Sequence, residues 1–413
     1  MAADSAGTTG GKILNSNNKL FMLSKRRPVG IMIYGSSDIM GYPWETIVKM
    51  YRKLLGKTSF PTLSEYVEHF KKYLRESELF DEKSKKLYIE SVFEIVADDI
   101  IKIIKAIFPD IKTMGKEVLN LYFSQIVSEK KQTSERESIK CELTEEERNA
   151  ALAAHKDFSD KLISEKFGVH GISKETIGDI YEIMKNAIFK NPDIYGGSSG
   201  LVFSGFGEED VFPSAISFMV SSVINKKIMM SEQSSNSIDL ETDSIISPFA
   251  QRDMMESFVY GIDPGVKNEI ARQLNGMFLK IPQAVTNLMR FSAEQSKALE
   301  YSFKSVLGTL SVKFFNKTDA FIRDNYIIPI LQGVATLPPE DLAMMAETLV
   351  SLTSFKRKIS ANQTETVGGP VDVATITKGD GFIWIKRKHY FQADKNHHFF
   401  SNYYSEEQAN EIR

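Results

Sequence analysis

Gly7-Thr8-Thr9-Gly10-Gly11-Lys12 joins glycines to a lysine, the ingredients of a phosphate cradle. It lacks the spaced Gly-Lys-Ser/Thr of such a loop, and no helix opens directly after it, so it reads as a turn. Gly205-Phe206-Gly207 follows an apolar run but has neither the third glycine nor the helix of a dinucleotide site, and reads as a strand end. His389, His397 and His398 offer imidazoles to a metal. Adjacent histidines in an extended segment point to opposite faces, however, and no cysteine lies near them, so neither a metal nor another cofactor is expected. Cys141 sits in a charged segment with nothing to activate its thiol, and no Gly-x-Ser-x-Gly elbow occurs. What remains is a pattern spread over both ends of the chain.

The elements that must position these residues differ along the chain. Lys19-Leu20-Phe21-Met22-Leu23 and Val29 to Tyr34 are two apolar runs broken at Arg26-Arg27-Pro28, which predicts two buried strands, the second ending at Gly35. Trp44, Ile47, Val48, Tyr51, Leu54 and Leu55 recur at helical spacing after Pro43, and Gly56 closes that helix. From Thr62 to about Lys190 nearly everything reads as helix. Gly196 to Gly200 punctuates this block, strands follow at Leu201 to Gly207 and Ala215 to Val220, and Ser231 to Ser237 reads as a loop. Met254 to Tyr260, Ile281 to Phe315 and Leu337 to Leu352 read as helix. A closing hairpin is predicted from Val371, Val373 and Thr375, the Lys378-Gly379-Asp380-Gly381 turn and the return run Phe382-Ile383-Trp384-Ile385.

Composition narrows the function. The chain has 413 residues, 42% hydrophobic and 25% charged, enough for one large core or two ordinary ones. Its 51 Lys and Arg against 54 Asp and Glu leave a net charge of −3 and no global positive field, so neither a nucleic acid nor an anionic membrane is an expected partner. The absence of a leader pattern, the short apolar runs and the single cysteine make the cytoplasm the expected location.

Ala2-Ala3-Asp4-Ser5-Ala6, Lys19-Leu20-Phe21, Gly30 to Gly35 and the helix at Trp44 together resemble the opening of proteasome β-type subunits. Gly205 to Val220, Leu337 to Leu352, Gly368-Gly369-Pro370-Val371-Asp372-Val373 and the terminal hairpin are similar, in the same order, to that family's later elements. The HslUV peptidase and the Anbu group share the pattern. The resemblance implies an α+β fold, the four-layer αββα sandwich of N-terminal nucleophile hydrolases, carrying large helical insertions. Residues 1–60 are then the first part of the core, 61–195 a helical insertion, and 196–262 core strands and a loop. Residues 263–336 are a second helical insertion, and 337–413 the last helix and the closing hairpin. The long helical block is expected to pack on one side of the sandwich and to carry partner contacts.

The resemblance also implies the chemistry. In that family the side chain of the mature N-terminal residue, usually threonine, attacks an amide and its α-amine moves the proton. A lysine lowers the nucleophile's pKa, an aspartate holds the lysine, and a backbone amide at the strand-closing glycine stabilises the oxyanion. Asp4, Lys19 and Gly35 match those places, which implies a Lys19 ammonium within hydrogen-bond reach of Asp4 and beside Gly35. The family's nucleophile precedes Ala-Ala-Asp-Ser, whereas this sequence opens with Met1 on that motif, and Thr364-Glu365-Thr366-Val367 replaces its supporting aspartate and serine, leaving Glu365 as a possible support. The expectation is a non-catalytic assembly or interaction subunit with protein partners or a homo-oligomeric state. The alternative is a threonine-type peptidase or amidase whose nucleophile-bearing first strand is missing from this chain.

Overall fold

A computed structural model describes the chain apart from residues 10–11, 109–115, 168–171, 289–291, 361–367, 390 and 406–413. Strands β1 (Ala2–Ala3), β2 (Gly7–Thr9), β3 (Lys12–Leu14), β4 (Leu20–Met22), β5 (Val29–Gly35), β6 (Asp38–Ile39) and β7 (Tyr42–Pro43) come first. Helices α1 (Trp44–Leu55), α2 (Leu63–Glu76), α3 (Glu82–Ile107), α4 (Lys116–Glu135), α5 (Glu145–Ala153), α6 (Lys156–Phe167), α7 (Lys174–Phe189) and α8 (Pro192–Tyr195) follow. Then come β8 (Ser199–Gly205), β9 (Ser214–Ile224) and β10 (Lys227–Ser237), and helices α9 (Asp253–Tyr260), α10 (Pro264–Leu288), α11 (Ala293–Ile322), α12 (Ile328–Ala335) and α13 (Pro339–Ile359). The chain ends with β11 (Asp372–Thr377), β12 (Gly381–Lys386) and α14 (His397–Ser405). The fold is mixed α+β with antiparallel sheets.

Two compact units divide the chain. The first holds Met1, Asn17–Ser237 and Ala374–Trp384; the second holds Ala2–Ser16, Ile238–Val373 and Ile385–Arg413. In the first, five antiparallel strands lie in the order β10-β9-β8-β5-β4. Their apolar side chains Ile31, Ile33, Leu201, Phe203 and Phe218 form one core with Trp44, Ile47, Val48 and Tyr51 of α1 and Tyr66 and Phe70 of α2. The opposite face of β5 is approached at Gly30, where an added Cβ would stand 2.7 Å from the Phe382 ring and 3.1 Å from Ile376. Only a residue without a side chain fits that approach.

The helical block builds a second core in the same unit. Phe93, Val96 and Ile100 of α3, Phe123 and Val127 of α4, and Ile180, Met184 and Ile188 of α7 pack together with Ile224 of β9 and Met229 of β10. Residues 61–195, read from sequence as an insertion, therefore share buried contacts with sheet strands. The local signals that shape the block are ordinary caps: Thr62, Asp81, Thr144 and Ser173 each accept the N–H three residues on. Partly buried ion pairs, Lys130 to Asp99 at 2.6 Å and Lys131 to Asp179 at 2.8 Å, tie α4 to α3 and α7.

One expectation is corrected outright. Ser231 to Ser237, read as a loop, is the second half of β10 and pairs with β9 as far as Ser237 opposite Ser214. The serines carried the loop reading, but hydrogen bonding to a long neighbour overrides weak local propensity.

In the second unit, β1 pairs antiparallel with β11, Ala2 opposite Val373 and Ala3 opposite Asp372. Val371 and Val373 pack on Ala343 and Val350 of α13, with Ala2 beside them. Lys356 reaches Asp253 at 3.1 Å and Asp263 at 3.4 Å, tying α13 to the start and the far side of α9. The segment Ile281 to Phe315 is two helices: Ser292 caps the second and forms a reciprocal box with Gln295.

Candidate functional site

Asp4 and Ser5 clasp the segment that carries the closing Gly-Gly-Pro. The Asp4 carboxylate accepts the N–H groups of Ala6 and Gly368, each at 3.0 Å, and the Ser5 N–H donates to the Gly368 carbonyl at 3.0 Å. Ser5, fully buried, also donates its hydroxyl to the Pro370 carbonyl. Two stretches more than 360 residues apart in sequence are joined by short-range backbone geometry that few side chains besides Asp and Ser supply. The neighbouring strand residue Asp372 is buried and receives the Lys388 ammonium at 2.5 Å and the Lys388 N–H at 2.8 Å. The sequence reading passed over this ion pair. Its signal was the single charge among Val371-Asp372-Val373-Ala374, at the start of β11.

Lys19 and Gly35 belong to the first unit, and Asp4 to the second. The first two lie at one end of the five-stranded sheet. The Lys19 carbonyl accepts the Ile33 N–H at 2.7 Å. Successive N–H groups along a strand point to opposite sides, so the Gly35 N–H points to the Lys19 side, one step past the end of β4. Gly35 has φ +79° and a Cβ there would meet the Ser198 carbonyl at 2.6 Å, which makes glycine the residue this corner requires. The corner is pinned from below: Trp44 Nε1 donates to Ser199 Oγ at 2.7 Å, and that hydroxyl donates onward to the carbonyls of Ser36 and Asp38 at 3.0 and 3.2 Å. Ser198, next to it, is buried, and its Oγ has no hydrogen-bond partner among the described residues. Neither serine was singled out in the sequence, because Gly196 to Gly200 reads only as punctuation until the strand register brings it against Gly35.

Glu365 lies outside the described residues. Burial pushes the Cys141 thiol above its ordinary value, the opposite of activation. His389 meets Phe391 at a tilt and Phe400 edge to face, and burial lowers its pKa, while His397 opens a helix where the sequence reading had a strand. No group of three or more His, Cys, Asp or Glu among the described residues could hold a metal ion. No described helix is long and apolar enough to cross a membrane.

The arrangement supplies a backbone N–H at a glycine corner, directed to the edge of β5 along which the Lys19 backbone runs. It also supplies a carboxylate engaged by backbone amides at the start of the chain. Comparisons with protein-family models, with curated proteins and with solved structures return no match.

Proposed function

We propose that the chain is a proteasome β-like protein of the N-terminal nucleophile hydrolase fold, working as a non-catalytic assembly or interaction subunit. The clasp between Ala2 to Ser5 and Gly368 to Asp372 carries the reading, because it joins the two segments on which the resemblance rests and gives Asp4 a structural task. The antiparallel sheet β10-β9-β8-β5-β4, with α1 and α2 packed on its apolar side chains, supports one helix-on-sheet half of that fold's sandwich.

A second reading, a threonine-type peptidase or amidase, draws on the Gly35 N–H directed past β4 toward the Lys19 side, where an oxyanion could be met. Purified full-length protein assayed against fluorogenic peptides and simple amides separates the two. The first reading expects no turnover, and Lys19→Ala to change stability alone. Steady hydrolysis abolished by Lys19→Ala would establish the second.

A further inference from the structure

A whole-chain charge of −3 argues against an anionic partner only if the charges are spread evenly, and they are not. Between Lys19 and Lys57 eight Lys and Arg stand against two Asp and Glu, so the acidic excess lies elsewhere in the chain. The fold gathers most of these cations in one place. Arg52 of α1 donates from Nη1 to the Met22 carbonyl at 3.3 Å, which sets the last turn of the helix beside the β4–β5 turn. Ser24 Oγ accepts the N–H groups of Arg26 and Arg27, each at 3.2 Å, and shapes that turn. Lys25, Arg26, Arg52, Lys53 and Lys57 therefore cluster around the end of α1, none of them buried. Two neighbouring cations are neutralised locally: Arg27 pairs with Glu208 at 2.6 Å and Lys49 with Glu45 at 2.5 Å. The carbonyl end of α1 favours Arg52 and Lys53, but Lys25, Arg26 and Lys57 lie outside the helix and gain less from it.

Apolar side chains stand among these charges. The helix buries Trp44, Ile47, Val48, Tyr51 and Leu55, and Lys53 lies on the opposite, outer face with Met50 beside it. Met50 is 46% exposed, and Leu54, four residues on, 62%. The outer face of a helix is convex, and the two aromatic residues of α1, Trp44 and Tyr51, are both turned inward. Single-stranded nucleic acid needs exposed rings to stack on, and a phosphate backbone leaves Met50 and Leu54 in water. An acidic peptide is held by a groove or a sheet edge and by side-chain pockets, which a convex helix face lacks. A bilayer with acidic phospholipids meets both features, because its negative surface attracts basic clusters and its headgroup layer takes up apolar side chains beside them. We propose that the outer face of α1 and the β4–β5 turn dock on an anionic membrane surface, the five cations facing the lipid headgroups and Met50 and Leu54 entering the headgroup layer. The inference uses this patch alone and stands or falls apart from the proposed function.

Co-sedimentation of the full chain with phosphatidylcholine vesicles, with and without phosphatidylserine, tests it, circular dichroism confirming that each variant is folded. Binding is expected only when phosphatidylserine is present, and to weaken as salt is added. Arg26→Glu with Lys53→Glu, both at exposed positions, should weaken it by about tenfold or more. Lys83→Glu with Lys161→Glu, exposed on α3 and α6, changes the net charge equally and should leave it within about twofold. Met50→Ser with Leu54→Ser should weaken binding by about threefold or more. Absence of binding to phosphatidylserine vesicles overturns the proposal, as does equal binding to phosphatidylcholine alone or a folded Arg26 and Lys53 variant that binds as the wild type does. A folded Met50 and Leu54 variant with unchanged binding also overturns it, since attraction by charge alone needs no headgroup layer. Tight binding to duplex DNA or to polyglutamate without vesicle binding would assign the patch to a nucleic acid or an acidic protein instead.

Discussion

Two helical regions of similar sequence texture behave differently. The block α3 to α7 and the pair α10 and α11 both carry apolar residues at high density between charged ones, and sequence alone treats both as insertions. In the first, Phe93, Val96, Ile100, Ile180 and Met184 are fully buried. In the second, Leu310, Val312 and Phe314 stand half or more in solvent or close to it. The difference lies in partners. Helices of the block meet one another and the sheet strands β9 and β10 from several directions, whereas each helix of the pair meets chiefly the other. Two helices in contact can bury one stripe each, and any apolar residue beyond that stripe stays wet.

The largest expected effect comes from emptying the packed region. Phe93→Ala removes a fully buried ring from the block and should cost about 3–5 kcal/mol in urea unfolding followed by circular dichroism. A loss below about 1 kcal/mol would erase the distinction between the two regions. Next comes the sheet corner that the packed unit holds rigid. Gly35→Ala combines a left-handed φ with a 2.6 Å approach to the Ser198 carbonyl, so a destabilisation of about 1–3 kcal/mol is expected in the same measurement.

A pH test sharpens the contrast further. His155 is 3% exposed in the block, its Nδ1 lies 3.8 Å from Glu90, and burial outweighs that carboxylate and holds the imidazole below its ordinary value. The unfolded chain then binds the proton more readily than the folded one, so this histidine leaves stability untouched at neutral pH and subtracts from it as pH falls below about 6.5. The melting temperature of His155→Gln should fall less between pH 7 and pH 5 than that of the wild type; parallel slopes would remove His155 from the account. The smallest effect belongs to the exposed pair. Leu310→Ala should change stability by no more than about 0.5 kcal/mol, because its side chain is half exposed already. A loss comparable to that of Phe93→Ala would show that the pair is packed after all.

Much of the local structure was legible in the residues themselves. The apolar runs at Leu20 to Met22 and Val29 to Gly35, the amphipathic helix opening at Trp44 and the hairpin around Lys378 to Gly381 all carry their periodicity and turn chemistry in sequence, and all form as expected. The positive φ of Gly35 was likewise foreshadowed by its place at the close of a strand. These features rest on interactions within a few residues, which is why a linear reading reaches them.

Only the tertiary structure decided the rest. That Ser231 to Ser237 is strand depends on β9 lying beside it, and that Asp372 is buried depends on Lys388 returning from beyond the hairpin. The Asp4 carboxylate finds the Gly368 N–H across nearly the whole chain, and Ser198 and Ser199 gain their meaning from the register that sets them against Gly35. The sequence by itself determined strands such as β5 and helices such as α1, and where glycine had to stand at Gly35. Which apolar faces became core, as in α3, and which stayed exposed, as in α11, was settled by long-range packing, whose energy depends on what lies opposite a residue and not on the residue alone.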